Sequence, residues 1–310
     1  MLKFIARRLL SALPLLLIVP LLVFLMLHLT PGEPESAVAV ELPADVQATQ
    51  AATERSLPRQ FAAWFGHLLI GDLGQSSQAR VTDATGPTGP TRASGTAVSA
   101  LVKARLAPTL WLLVLSLSWA LPAGLALGAA AAWRAGGGLD RAVSGLSALL
   151  WCVPVFVLAC ALIWVMPHAP SGDAARGLVL PALALGAGVS ARLARITRAA
   201  VMRTLSENHV RSARAKGLPG WRVLFHHALA SAAAPMALAA GRDLTLLVAG
   251  VVLVESAFGI AGLGKLVVDA ALTRDFPTLQ SVIVVWSLAG LLLHGLATLG
   301  GAWFDPRARR

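Results

Sequence analysis

The chain has 310 residues, 56% of them hydrophobic and only 13% charged. Soluble globular domains carry about a quarter charged residues. This composition, with a mean hydropathy of +0.72, excludes an aqueous enzyme, a disordered protein and a secreted disulfide scaffold together. A formal charge of +11 would point a soluble chain toward nucleic acid. Here the basic residues gather in short stretches between apolar segments, so the chain reads as an all-α polytopic membrane protein with no nucleic-acid partner.

Crossing the hydrocarbon core takes about 17–25 helical residues. The first such run, Leu9–Thr30, follows Lys3, Arg7 and Arg8 as a signal peptide would, and Ala37-Val38-Ala39 supplies a candidate cleavage tripeptide. Its 22 residues exceed the usual 7–15 of a signal core, so it is expected to stay as a span. Leu106–Ala132, Ala142–Met166 and Ser281–Phe304 are also long and free of formal charge. Two stretches are less clean: Gly177–Ala191 is short and holds Pro181, Gly186 and Gly188, and Ala228–Val254 carries Arg242 and Asp243 near its middle.

The distribution of basic residues decides whether these two cross. With six spans and both termini in the cytoplasm, segments 1–8, 133–141, 192–227 and 305–310 lie inside with 16 basic and three acidic residues. Segments 31–105, 167–176 and 255–280 then lie outside with nine basic and 11 acidic. Any other count of crossings puts the Arg192–Arg222 group or the basic tail outside. The expected spans are about 9–30, 106–132, 142–166, 177–195, 230–254 and 281–304, with one larger external loop, 31–105, and a cytoplasmic loop, 196–227. Cys152 and Cys160 fall in one span, about 12 Å apart along a continuous helix, beyond the roughly 7 Å a disulfide bridges. They are expected to be small packing residues.

Between the first two spans, Pro31-Gly32-Glu33-Pro34 stops the first helix. Leu57–Ile70 reads as a short amphipathic helix with Phe61, Trp64, Phe65, Leu68 and Leu69 on one face. That face suits a membrane interface or packing on the other outer loops, and the packing reading is preferred. Residues 79–95, rich in Thr, Gly, Ser and Pro, read as a flexible excursion.

The inner loop holds the most information. Arg192, Arg195 and Arg198 prolong the fourth helix, with Leu193, Ile196, Ala200 and Val201 on another side. Glu207 to Gly217 forms a second helix, Gly217 suits its C-terminus, Pro219-Gly220 marks a turn, and Trp221 restarts a helix toward the fifth span. Ala213 and Gly217 are small enough for close contact with another surface. Charge alone leaves two readings open, an amphipathic helix on anionic lipid and a protein-docking hairpin.

The string His209-Val210-Arg211-Ser212-Ala213-Arg214-Ala215-Lys216-Gly217-Leu218 resembles the cytoplasmic signature of ABC-importer permeases in its peptide and nickel branch, with His209 where an aromatic residue is usual. In chain order, Leu27 to Pro34, Gln60 to Trp64, Gly71-Asp72-Leu73-Gly74-Gln75-Ser76, Glu255 to Lys265, Arg274-Asp275-Phe276-Pro277 and Asp305-Pro306-Arg307 also resemble that family. The large loop after the first span fits the subunit usually encoded first of two permeases.

The resemblance implies one permease domain over 1–310, of the type I importer kind, in a bacterial inner membrane. It implies a coupling helix, Glu207 and His209 to Leu218 with Trp221, seated in a groove of an ATPase subunit. It further implies two cytoplasmic ATPases that hold ATP and Mg, a second homologous permease, an external solute-binding protein, and no cofactor on this chain. Peptides are the leading substrate class by resemblance. The outer connection Pro167 to Arg176 is short and 79–95 looks inserted, so both departures face the side where substrate arrives.

Gly259 to Leu266 nearly spells a nucleotide-binding P-loop, but Leu266 stands where a Ser or Thr hydroxyl would hold Mg²⁺. The stretch reads instead as a glycine-rich external gate loop with Glu255, Phe258, Gly262, Gly264 and Lys265, Glu255 needing no special role at a span end. Charges at mid-membrane cost about 2.5–3.5 kcal/mol each, so Arg242 and Asp243 are expected to face a cavity, an interhelical partner or the path. His28 and His294 read as interhelical hydrogen-bonding residues. Neither a metal-ligand spacing nor a nucleophile–base set is present, which leaves an enzyme reading without an anchor. A stand-alone ion-coupled transporter is the alternative, but it would need relays of deep acids and inverted repeats.

Overall fold

In a computed structural model of the chain, the described residues are 14, 17–26, 57–76, 97–165 and 177–304. Among them the secondary structure is helical apart from an isolated antiparallel bridge between Gln75 and Ala97. The helices are α1 (Leu17–Met26), α2 (Leu57–Ile70), α3 (Val98–Trp133), α4 (Gly138–Cys152), α5 (Val155–Val165), α6 (Val179–Leu205) and α7 (Asn208–Ala215). There follow a single turn, α8 (Gly220–Arg222), a π-helical stretch over Val223–Leu229, α9 (Ala230–Phe258), α10 (Leu263–Leu272) and α11 (Phe276–Phe304).

Helices α3 and α6 and the Phe276–Gly295 part of α11 are each long and apolar enough to cross a membrane. The number rises to five if the broken pairs α4 with α5 and Leu247–Phe258 with α10 each count as one span. The chain is therefore an all-α multi-pass membrane protein. The expected excursion 79–95, the outer connection 167–176, His28 and the tail from Asp305 lie outside the described residues.

Two helices depart from the spans expected of them. Helix α3 has 36 residues, about 54 Å at 1.5 Å per residue, far more than a bilayer core needs. Its first turns carry Lys103 and Arg105, so the helix starts before the apolar stretch does. The expected third span is broken: α4 and α5 meet at 102°. Pro154 is the reason, since a proline disfavours helical backbone in the residue before it, and Val153 is extended at φ −80°, ψ 120°. Cys152 and Cys160 sit on either side of that break as free, exposed thiols. They are not packed inside this chain as expected.

The chain divides into two compact units, one centred on 108–260 and the other combining residues before 108 with 261–289. In the first, α6 is the central helix, and small residues let its neighbours approach. Gly124 and Gly128 of α3 lie one turn apart, a spacing that brings helix backbones close in membranes. A Cβ on Gly128 would stand 2.4 Å from the Ala194 carbonyl oxygen, and one on Gly124 2.8 Å from that of Ser190. Gly186 receives the Trp119 ring, whose Nε1–H donates to the Ala182 carbonyl at 3.1 Å. On the other side Gly250 of α9 receives Leu185. The short, glycine-bearing stretch that looked marginal as a span is thus the buried axis of its unit.

In the second unit Val98, Val102, Leu263, Leu266 and Val282 form the core. The aromatic face of α2 packs on Phe24 of α1, with ring centroids 5.4 Å apart for Phe24 and Phe61 and 6.1 Å for Phe24 and Trp64. Its partner is the first apolar helix, where an outer loop was expected. Ring packing on an apolar helix offers these side chains more buried carbon than a polar loop does.

Candidate functional site

The arginine-rich hairpin is built from its ends inward. Helix α6 carries Arg192, Arg195, Arg198 and Arg203 and ends at Leu205. Helix α7 follows after two residues, with Glu207 extended at its N-cap. Its C-terminus closes as a Schellman motif. Gly217 sits at φ +73°, the Gly217 amide donates to Arg214 O at 2.9 Å, and the Leu218 amide to Ala213 O at 3.4 Å. The left-handed backbone is where glycine carries no Cβ penalty. Leu218, placed by that turn, packs with Leu205 on a core of Val210, Ala213 and Val223.

The two faces of α7 therefore differ. Val210 and Ala213 are buried in the chain's own core. Glu207, His209, Arg211, Ser212, Arg214, Ala215, Lys216, Gly217 and Trp221 are exposed. Ala213 is small because Val210 and Val223 crowd it, and a facing surface in another molecule has no access to it. His209 Nδ1 lies 3.2 Å from Glu207 Oε2, and the Arg222 guanidinium lies 5.3 Å from the Trp221 ring centroid. Trp133, at the end of α3, rests on Gly220, where a Cβ would meet the indole at 2.4 Å. The π-helical turn Val223–Leu229 then joins the hairpin to α9.

An ion pair with a buried carboxylate braces the base of this hairpin. Arg198 donates from Nε to Asp140 Oδ1, and from Nη2 to Oδ2 at 2.8 Å. Asp140 also accepts from the Gly136 amide at 2.8 Å. A carboxylate with several donors tolerates removal from water, where a lone one would not. The α3–α4 turn and the root of α6 are thereby tied together.

The expected gate-loop residues divide between the two units. In the first, Glu255 is wholly buried and accepts from Thr109 Oγ1 at 2.6 Å. Its carbonyl accepts the Ile260 amide at 2.9 Å, and Phe258 ends α9. Glu255 is thus a buried, bonded acid, contrary to the expectation that it needs no role. In the second unit Gly262 is the N-cap of α10, and Gly264 is buried in its first turn. Lys265 Nζ pairs with Asp269 Oδ1 at 2.9 Å. Only Leu263–Leu266 of the P-loop-like string lie on a helix, Gly259–Gly262 forming the non-helical link before α10, and its lysine is held by a carboxylate one turn on.

Two motifs expected to lie outside meet in the second unit. Ser76 Oγ donates to Asp275 Oδ2 at 2.5 Å, and Ser281 Oγ to the Leu73 carbonyl at 2.7 Å. Gly71–Ser76 is thereby pinned to the start of α11. Arg242 and Asp243 lie within α9, and their side chains lie outside what the structure describes. No group of three or more His, Cys, Asp or Glu residues suited to a metal is found among the described residues.

Residues 124–310 match the family model described as the binding-protein-dependent transport system inner membrane component. The chain belongs to that family. It is a permease subunit of an ABC importer. The chain is 34% identical over 325 residues to the "Probable peptide ABC transporter permease protein y4tP" of Sinorhizobium fredii, covering 99% of each. It is 35% identical over 325 residues to the glutathione transport system permease protein GsiC of Pectobacterium atrosepticum, covering 100% of this chain and 99% of that one. A crystal structure of an amino acid ABC transporter with histidines shares the fold, with a TM-score of 0.55 at 18% identity, covering 67% of this chain and 94% of that one.

The permease's hairpin, its Asp140–Arg198 brace and the buried Glu255 all fall inside the matched region. The brace and the Thr109–Glu255 bond are long-range pairings that no local pattern announces. Pro154 and the Gly124/Gly128 spacing were visible in the sequence but pass unremarked in a hydropathy reading.

Proposed function

We propose that this permease forms half of a translocation path for short peptides or peptide-like solutes. Its full-length similarity to permeases named for peptide and for glutathione transport supports that substrate class. In this reading it pairs with a second homologous permease, two cytoplasmic ATPases that bind and hydrolyse ATP, and an external solute-binding protein. The chain crosses the inner membrane six times with both termini inside, as one permease domain of the type I importer kind.

The observation that carries the coupling role is the two-faced α7. Val210 and Ala213 lock it to the membrane helices, while Arg211, Ser212, Arg214, Ala215, Lys216 and Gly217 face outward. A short rigid helix rooted in this way transmits a push from an ATPase as a rigid body. Glu255, Phe258, Gly262, Gly264 and Lys265 act at the external end. Arg242 and Asp243 serve the path or an interhelical contact.

The test is ATP-dependent uptake of a labelled dipeptide and of glutathione by proteoliposomes holding the assembled importer and its binding protein. Topology is read separately, in a Cys152→Ser/Cys160→Ser background, by thiol labelling of Ser212→Cys. Labelling from the cytoplasmic side alone is expected. Labelling from outside overturns the orientation, and uptake without ATPase subunits overturns the mechanism.

A further inference from the structure

The hairpin reaches the long helices of its unit by two further routes. One is the chain itself, which passes from α8 through the π-helical Val223–Leu229 into α9. Helices bend most sharply at such irregular winding, so a push sent this way is partly lost. The other is a contact through space. Trp133, the last residue of α3, lays the tip of its indole on Gly220, where a Cβ would stand 3.0 Å from Cζ2 and closer still to Cη2. Its neighbour Ala132 is buried in one core with Leu224 and Ala228 of the π-helical stretch. The end of α3 thus meets the chain at the turn and again just after it.

We propose that Trp133 is a positioning residue of the coupling step, handing a displacement of the hairpin to α3 at Gly220. This rests on the reading of α7 as the helix an ATPase moves. Glycine at 220 brings the ring onto the backbone itself, so no flexible side chain on the hairpin absorbs the motion. Helix α3 then carries it onward. Thr109 lies 24 residues back along the same helix, about 36 Å in rise, and donates to the buried Glu255. Four residues later Gly259 closes α9 in the left-handed conformation. Helix α3 is thereby tied to the hairpin at one end and to the last turn of α9 at the other. Pro122 removes one hydrogen bond from α3 on the way, and Gly124 and Gly128 seat the helix on the α6 backbone just beyond it. An anchor at the membrane surface is the plainer role for an exposed tryptophan at a helix end, but that role gives Gly220 no part.

The experiment exchanges bulk across this contact in the assembled importer, held in proteoliposomes with its binding protein and a labelled dipeptide or glutathione, whichever the wild type takes up. The readout is solute taken up per ATP hydrolysed. A variant that only lowers the amount of folded importer lowers both rates together and leaves that ratio in place. Trp133→Phe, which shortens the ring, and Gly220→Ala, which pushes it away, are each expected to lower the ratio about fivefold. In the double variant the methyl fills the space the indole left, and the ratio is expected to return to within about twofold of wild type. Losses that multiply in the double variant overturn the proposal. So does an unchanged ratio in Trp133→Ala. So does a loss in Trp133→Ala with Gly220→Ala unaffected, which would leave the ring a surface anchor. Gly217→Val keeps the two readings apart. If it uncouples uptake while the Trp133 and Gly220 variants do not, the hairpin is moved but Trp133 has no part. If it leaves uptake coupled, the hairpin reading fails and the role of Trp133 with it.

Discussion

Asp140, in the first turn of α4, and Arg198, 58 residues later in α6, form a two-pronged ion pair with its carboxylate buried. The pair ties the turn between α3 and α4 to the helix that carries the hairpin. Any force arriving at α7 therefore reaches α4 as well as α6.

Removing one member is expected to destabilise the permease more than removing both. Asp140→Ala leaves Arg198 and the Gly136 amide without their acceptor, and Arg198→Ala leaves a buried carboxylate short of its strongest donor. Thermal unfolding of the two single variants and the double, set out as a mutant cycle, should give a double loss smaller than the sum. Strict additivity would mean the pair contributes no coupling.

The glycines of α3 and α4 should respond with opposite signs. Gly128→Ala places a methyl 2.4 Å from the Ala194 carbonyl and is expected to cost about 1–3 kcal/mol through overpacking. Gly145→Ala, in the interior of α4 with nothing within 4 Å, should gain about 0.5–1 kcal/mol from helix propensity. Melting temperatures of the two purified variants check both signs.

Substitutions at Gly217 separate the proposed coupling role from folding. Its Cβ position is open, so a side chain there meets only the backbone penalty of φ +73°, about 1–3 kcal/mol for a non-glycine residue. Gly217→Val should insert normally yet lose most ATP-driven uptake while basal ATP hydrolysis continues. Gly217→Asn, whose side chain tolerates this conformation, should keep most uptake. Normal coupled uptake by the valine variant would count heavily against docking through this helix.

The Gly71–Ser76 segment should loosen from its anchor in a serine variant. Ser76→Ala removes a hydrogen bond to the buried Asp275 and is expected to cost about 1–3 kcal/mol locally. Limited proteolysis of spheroplasts should cut the 57–97 region faster in this variant than in wild type, with the 124–310 region unchanged. Equal cutting rates would show that Ser281 and its bond to the Leu73 carbonyl suffice to hold the segment.

Much of this protein was legible without coordinates. The apolar segments, the amphipathic Leu57–Ile70, the turn at Gly217 and the family-like hairpin follow from period, charge and local backbone preference, which act over a few residues. The P-loop decoy could also be rejected there, from the missing hydroxyl at Leu266.

What the tertiary structure decided was which side chains face inward. Val210 and Ala213 belong to the same basic string as Arg211 and Arg214, yet their burial depends on Val223, ten or more residues away along the chain. Glu255 reads as an ordinary span-end acid until Thr109 is seen against it, and the uncharged run around Pro154 reads as one helix until the break is seen. Hydropathy measures how much carbon a segment must hide from water. Only the packing of distant segments settles what hides it, because long-range contacts leave no mark on the spacing of neighbours.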